Sequence, residues 1–191
     1  MLYNIIMFSN SFSRLSLRFF PVPKFLVEPS FGLDISDESI KFIELVNTRD
    51  GIKVGRHGER NIPPGVIELG KIKNQNKVEE ILFSLRKEEG LKAVRVSLLE
   101  EQVYLYKFRL EKAGLVNVRE SIELSLEEHV PLSAEEAIFD YELIREDEES
   151  LELQIAAVPK NVIESYLTIF ANSGIKVQSL ELEALGSLCL L

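Results

Sequence analysis

The stretch Phe31-Gly32-Leu33-Asp34-Ile35-Ser36-Asp37-Glu38-Ser39-Ile40-Lys41-Phe42-Ile43-Glu44-Leu45 constrains the fold of this chain more than any other. It reads as a strand near 31–35, a short polar turn and a second strand near 39–46, together a β-hairpin. One carboxylate, Asp34, lies inside the first strand, and two hydroxyls, Ser36 and Ser39, stand around the turn. A turn of convergent backbone N–H donors is a natural anion nest. The acidic pair Asp37 and Glu38 opposes that use. A carboxylate about 4 Å from a phosphate oxygen repels it by roughly 4 kcal/mol at an effective dielectric of about 20.

Further along, Asn47-Thr48-Arg49-Asp50-Gly51 carries the Asp-Gly hairpin signal. A third, more polar strand over 52–60 completes a three-stranded meander. Pro63-Pro64-Gly65 opens a loop, and a helix is expected from Asn76 to Glu89. Its apolar face is Val78, Ile81, Leu82 and Leu85, with Gly90 as the stop. Residues 92–98 alternate as a strand facing the same core. Gln102–Arg109 alternates again, with Val103, Leu105, Lys107 and Arg109 on one face and Tyr104, Tyr106 and Phe108 on the other.

A helix over Asn117–Val130 turns Val118, Ile122 and Leu126 inward and Glu120, Glu123, Glu127 and Glu128 outward, and Pro131 ends it. Two strands, Ala137–Arg145 and Leu151–Val158, flank the acidic turn at 146–150. Asn161, with Glu164 three residues on, predicts a capped helix to Asn172, stopped by Ser173-Gly174. Ile175–Leu182 reads as a strand. The run from Glu183 to Leu191 starts another helix and ends without a cap or polar tail, which reads as a truncation.

Ahead of the hairpin, Phe8, Phe12, Leu15 and Phe19 line one helical face, and Pro21-Val22-Pro23 ends the segment. A basic, aromatic amphipathic helix can lie on an anionic membrane surface. The alternative is docking on protein, or disorder of the kind common at termini. Met1 and Met7 are both candidate start codons. No basic n-region and cleavage site mark a signal peptide, and no apolar run reaches the roughly 18–20 residues that cross a bilayer.

Composition removes several functions. The 191 residues, 46% of them hydrophobic, can bury a core. A formal charge of −9 argues against sequence-independent nucleic-acid binding. Cys189 is alone, so an intrachain disulfide or CxxC site is excluded, in keeping with a reducing cytoplasm. His57 and His129 belong to no ligand-spaced motif, and structural roles are expected for both. His129 falls at the C-terminal end of an acidic helix, where positive charge suits the dipole.

Catalytic patterns are equally poor. Gly70-Lys71 lacks P-loop spacing, with Ile72 where Ser or Thr is required. The pairs Glu100-Glu101 and Glu127-Glu128 are adjacent, so they do not face each other across a substrate. No Ser, His and Asp set has a recognisable context. A self-contained active site is not expected.

The element order, and residues from about 102 to 158 as a strand–helix–strand–strand (SHS2) module, resemble the type IV pilus assembly protein PilM family, of the actin-like ATPase superfamily, and the related cell-division FtsA family. The segments that carry the resemblance occur in order. They are Gly32-Leu33-Asp34-Ile35-Ser36 through Ile40-Lys41, Ile62-Pro63-Pro64-Gly65 with Gly70-Lys71-Ile72, Glu127-Glu128-His129-Val130-Pro131 leading to Glu135-Glu136-Ala137 and Asp140-Tyr141, Ala156-Ala157-Val158-Pro159-Lys160, and Gly174-Ile175-Lys176-Val177.

The resemblance implies an α/β fold: an actin-like (ribonuclease H-like) first lobe with an inserted SHS2 subdomain, truncated before the second lobe. It divides the chain into an extension at 1–28, a first part at 29–100, the insertion at 101–173 and a return at 174–191. Asp34 matches the strand Asp that holds hydrated Mg²⁺ through water, Ser36 and Ser39 match small turn positions, and Lys41 matches a basic position after the turn. ATP and Mg²⁺ are implied for the full-length family but not for this fragment alone. The implied partner is the N-terminal tail of the inner-membrane protein PilN, held in a groove beside the insertion, with other pilus assembly proteins, no nucleic acid, and peripheral membrane contact through residues 8–20. Ile62–Ile72 and Gln102–Arg109 are the expected groove segments. The implied location is the cytoplasmic face of the inner membrane. Two alternatives stay open: an actin-like-fold kinase or ATPase, and an FtsA-like membrane-attached division protein.

Overall fold

The computed structural model of the chain describes residues 31–98, 100–113 and 117–182. The amphipathic segment at 8–20, the expected helix after Glu183 and Cys189 lie outside the described residues. Strands β1 (Phe31–Ile35), β2 (Ser39–Thr48) and β3 (Gly51–Asn61) form the meander. Phe31, Leu33 and Ile35 are buried on one face of β1, so Gly32 and Asp34 stand on the other. After β3 comes a small hairpin, β4 (Ile67–Glu68) and β5 (Lys71–Ile72), which the sequence did not announce.

Helix α1 (Gln75–Glu89) begins where the Asn74 side chain accepts the N–H of Lys77, and ends at Gly90 with φ 76°. That left-handed conformation is one glycine adopts at low cost. Val78, Leu82 and Leu85 are fully buried. Next, β6 (Ala93–Leu98) lies parallel to β1, and β10 (Lys176–Leu182) lies parallel to β6. The resulting five-stranded sheet has the order β10-β6-β1-β2-β3.

Between β6 and β10 runs the expected strand–helix–strand–strand module. It comprises β7 (Tyr104–Glu111), α2 (Val118–His129), β8 (Ala137–Glu146) and β9 (Ser150–Pro159), with sheet order β7-β9-β8. Ile122 and Leu126 of α2 pack with Phe139, Leu153, Ile155 and Ala157 in a core of their own. His129 closes α2, where its ring meets the Ser125 carbonyl and stacks on Tyr106 at 4.7 Å. The Tyr106 hydroxyl is buried with no hydrogen-bond partner among the described residues, and burial raises its pKa.

Strand β9 serves two cores. Leu153, Ile155 and Ala157 face α2, while Ala156 and Val158 join the core of the five-stranded sheet. Helix α3 (Lys160–Asn172) follows directly and contributes Ile163, Tyr166, Ile169 and Phe170 to that larger core. The expected boundary at 173 grouped this helix with the insertion; its packing puts it with the five-stranded sheet.

The expected cap of that helix is also corrected. The helix starts at Lys160 after Pro159, without a side-chain cap, and Asn161 is exposed inside the first turn. Two causes are visible. Pro159, at φ −58°, leads straight from β9 into the helix, and the Lys160 N–H donates to the Glu136 carbonyl at 2.8 Å. A backbone acceptor thus satisfies a donor that a cap would otherwise take.

Candidate functional site

The hairpin places Asp34 on the central strand β1, directly opposite Lys41 on β2 and Ser97 on β6. Asp34 is half-buried and Lys41 exposed. Ser36 and Ser39 close the turn on themselves. The Ser36 N–H donates to the Ser39 carbonyl at 2.9 Å, the Ser36 hydroxyl donates to the same oxygen at 3.1 Å, and the Ser39 N–H donates back to the Ser36 hydroxyl at 3.1 Å. The N–H groups of both serines are therefore already engaged within the turn.

Hydrated Mg²⁺ takes one or two carboxylates and fills its shell with phosphate oxygens and water. Asp34, partly accessible beside the turn, fits that role as an outer-sphere group. Among the described residues no cluster of three His, Cys, Asp or Glu side chains is disposed to hold a metal directly.

Asp37 has a different task from the one its place in the turn suggested. One carboxylate oxygen accepts the N–H of Leu69 at 2.8 Å and the other accepts the N–H of Gly70 at 3.0 Å. Its charge is engaged by two backbone donors, which weakens the expected repulsion of an anion at the turn. Glu38 is exposed, and its carbonyl accepts the Ile62 N–H at 2.7 Å.

Leu69 and Gly70 are the two loop residues of the β4–β5 hairpin, with φ of 51° and 70°. A two-residue hairpin with both central residues at positive φ favours Asn, Asp or Gly. Leu69 is the one non-glycine residue at positive φ among those described, and 71% of it is exposed. That conformation costs a side-chain-bearing residue roughly 1–2 kcal/mol.

Two further groups fix the corner. The Gln102 side-chain amide, just before β7, donates to the Leu69 carbonyl. The Tyr166 hydroxyl on α3 donates to the Gly70 carbonyl at 3.2 Å. Both side chains are buried. Burial, and then the nearby negative charge of Asp37, push the Tyr166 pKa up to about 12. The turn after β1, the small hairpin, the start of the module and the helix that follows it thus meet in one hydrogen-bonded junction. Leu69 and Gln102 fall inside the expected groove segments without having been singled out there, and Asp37 and Tyr166 were not among the expected site residues. The only sequence sign was Leu69-Gly70 between two short apolar–polar pairs, which lacks the Asn-Gly or Asp-Gly signature.

A separate shallow cavity of about 340 Å³ lies on the face of the three-stranded sheet away from α2, lined by Lys107, Arg109, Arg145, Asp147, Ser150 and Glu152. Its charges largely answer one another, with Lys107 3.8 Å from Glu152 and Arg109 3.9 Å from Asp147. Hydrogen bonds from the Glu149 N–H and from the hydroxyl and N–H of Ser150, in that order, hold the Asp147 carboxyl below the usual range. This is a solvated ion-pair ladder that also caps the β8–β9 turn.

A mixed sheet with one helical face and a strand–helix–strand–strand module resembles part of an actin-like ATPase. More narrowly, the chain belongs to the type IV pilus assembly protein PilM family, whose model matches residues 32–187. A solved PilM–PilN type IV pilus biogenesis complex contains a chain with a TM-score of 0.74 at 18% identity, over 85% of this chain and 49% of that one. The cytoplasmic domain of EpsL, an inner-membrane component of the type II secretion system of Vibrio cholerae, gives a TM-score of 0.54 at 13% identity, over 83% of this chain and 58% of its own. At these identities the likeness is one of fold, and this chain spans about half the length of the first. No curated protein matches it by sequence. No helix among the described residues is long and apolar enough to cross a membrane.

Proposed function

We propose that the chain acts as the first lobe of a PilM-like scaffold of type IV pilus assembly. It binds the N-terminal tail of a PilN-like inner-membrane protein in a groove between the five-stranded sheet and the SHS2 module. The observation that carries this reading is the junction at Leu69-Gly70. Both expected groove segments, Ile62–Ile72 and Gln102–Arg109, meet there through the bond from Gln102 to Leu69. An extended peptide can lay apolar side chains into such a cleft or add to a strand edge.

The same reading gives the chain no catalytic residue. In a two-lobed protein, Asp34, Ser36, Ser39 and Lys41 would form one wall of the ATP site, with Asp34 reaching Mg²⁺ through water; this chain alone does not bind the nucleotide. The protein works at the cytoplasmic face of the inner membrane, with other pilus assembly proteins as partners and residues 8–20 as the peripheral membrane contact. Calorimetric titration with a synthetic PilN tail peptide tests the reading. Binding in the micromolar range is expected. Absence of binding at high micromolar peptide, with the protein folded by circular dichroism, overturns it.

A further inference from the structure

We propose that Leu69 is the apolar anchor this chain presents to an extended partner peptide, an assignment that rests on the reading above. Nothing in the fold asks for leucine at this position. Its side chain is 71% exposed, so core packing does not explain it, and the turn would form with less strain around Asn or Gly. An outlier of this kind, held in place by its surroundings, points to use rather than to folding.

The surroundings do hold it. Asp37 fixes the N–H groups of Leu69 and Gly70, Gln102 fixes the Leu69 carbonyl, and Tyr166 fixes the Gly70 carbonyl. These three residues come from three different parts of the chain. An exposed leucine on a rigid corner loses little backbone freedom when a partner covers it, which is the advantage of preorganisation.

The chemistry of the partner follows from the flanks. Glu68 and Lys71 are both exposed, of opposite sign and directly paired, and the Asp37 carboxylate behind them is engaged by the Leu69 and Gly70 N–H groups, so the corner offers no unanswered charge to a partner. On the module side, Leu105 follows Gln102 closely on β7, on the face of the strand away from α2, and is 41% exposed. The surface fits an extended peptide with apolar side chains rather than an acidic or basic one.

The test compares Leu69→Gly, Leu69→Asn and Leu69→Met with the unaltered chain, by calorimetric titration with the PilN tail peptide and by thermal melting. The expected result is at least tenfold weaker binding for the Gly and Asn variants, with melting temperatures equal or higher, and near-normal binding for Met. Undiminished binding by the Gly and Asn variants overturns the anchor while leaving the peptide reading intact. A lower melting temperature in both shows the leucine to be structural and also overturns it, whatever the peptide does. If the unaltered chain fails to bind, the peptide reading falls and the anchor with it.

Discussion

The carboxylate of Asp37 holds the N–H of Gly70 at 3.0 Å, tying the turn after β1 to a hairpin 33 residues further on. With the Leu69 N–H on its other oxygen, this carboxylate does for a hairpin what a capping side chain does for a helix end. Hydrogen bonds to a charged group each contribute roughly 1.5–3 kcal/mol when well shielded. This pair is partly exposed, so Asp37→Ala is expected to destabilise the chain by about 2 kcal/mol, and Asp37→Asn by less. Urea unfolding followed by circular dichroism measures both.

Tyr166 supplies a pH signature. A phenol whose pKa is raised to about 12 holds its proton more tightly folded than unfolded, where the value is about 10. Its contribution is complete below pH 10 and is lost as the pH rises from about 10 toward 12. Tyr166→Phe should cost about 1 kcal/mol at pH 8 through the lost bond to Gly70. It should also flatten the decline of stability above pH 10. Unfolding midpoints between pH 8 and 11 for both proteins give the comparison.

The two asparagines near helix starts should behave differently. Asn74 caps α1 by accepting from the Lys77 N–H at 3.1 Å, and its replacement by Ala should cost about 1 kcal/mol. Asn161 caps nothing, so Asn161→Ala should stay within about 0.5 kcal/mol of the unaltered chain. Equal losses in the two variants would restore Asn161 as a cap.

For nucleotide, the expected outcome of titrating this chain with Mg-ATP is weak or undetectable heat. With the serine N–H groups closing their own turn, the hairpin offers few free donors. A micromolar dissociation constant would overturn that expectation, and loss of the signal in Asp34→Ala would then locate the site.

Much of the fold was legible because it is written in periodicities. The β2–β3 turn at Asp50-Gly51, the Gly90 stop, and the alternation of Tyr106 and Phe108 with Lys107 and Arg109 all carried through to the structure. The start of α3 misled because Asn161 and Glu164 mimic a capping box, while the real acceptor, the Glu136 carbonyl, is brought in by tertiary packing. The site was legible only in part. Asp34 and Lys41 face each other as any hairpin reading requires. The bonds from Asp37, Gln102 and Tyr166 to one corner span 32 to 96 residues, and no local pattern reports on partners that far apart.

The alternation of β9 reaches beyond stability. With Leu153, Ile155 and Ala157 turned to one side and Ala156 and Val158 to the other, a slip by one residue would misplace the contents of both cores together. Insertions and deletions inside this strand should therefore be excluded from any functional descendant. The module and its host share a wall rather than a tether, so they inherit changes jointly, and calorimetry should find them melting in a single transition.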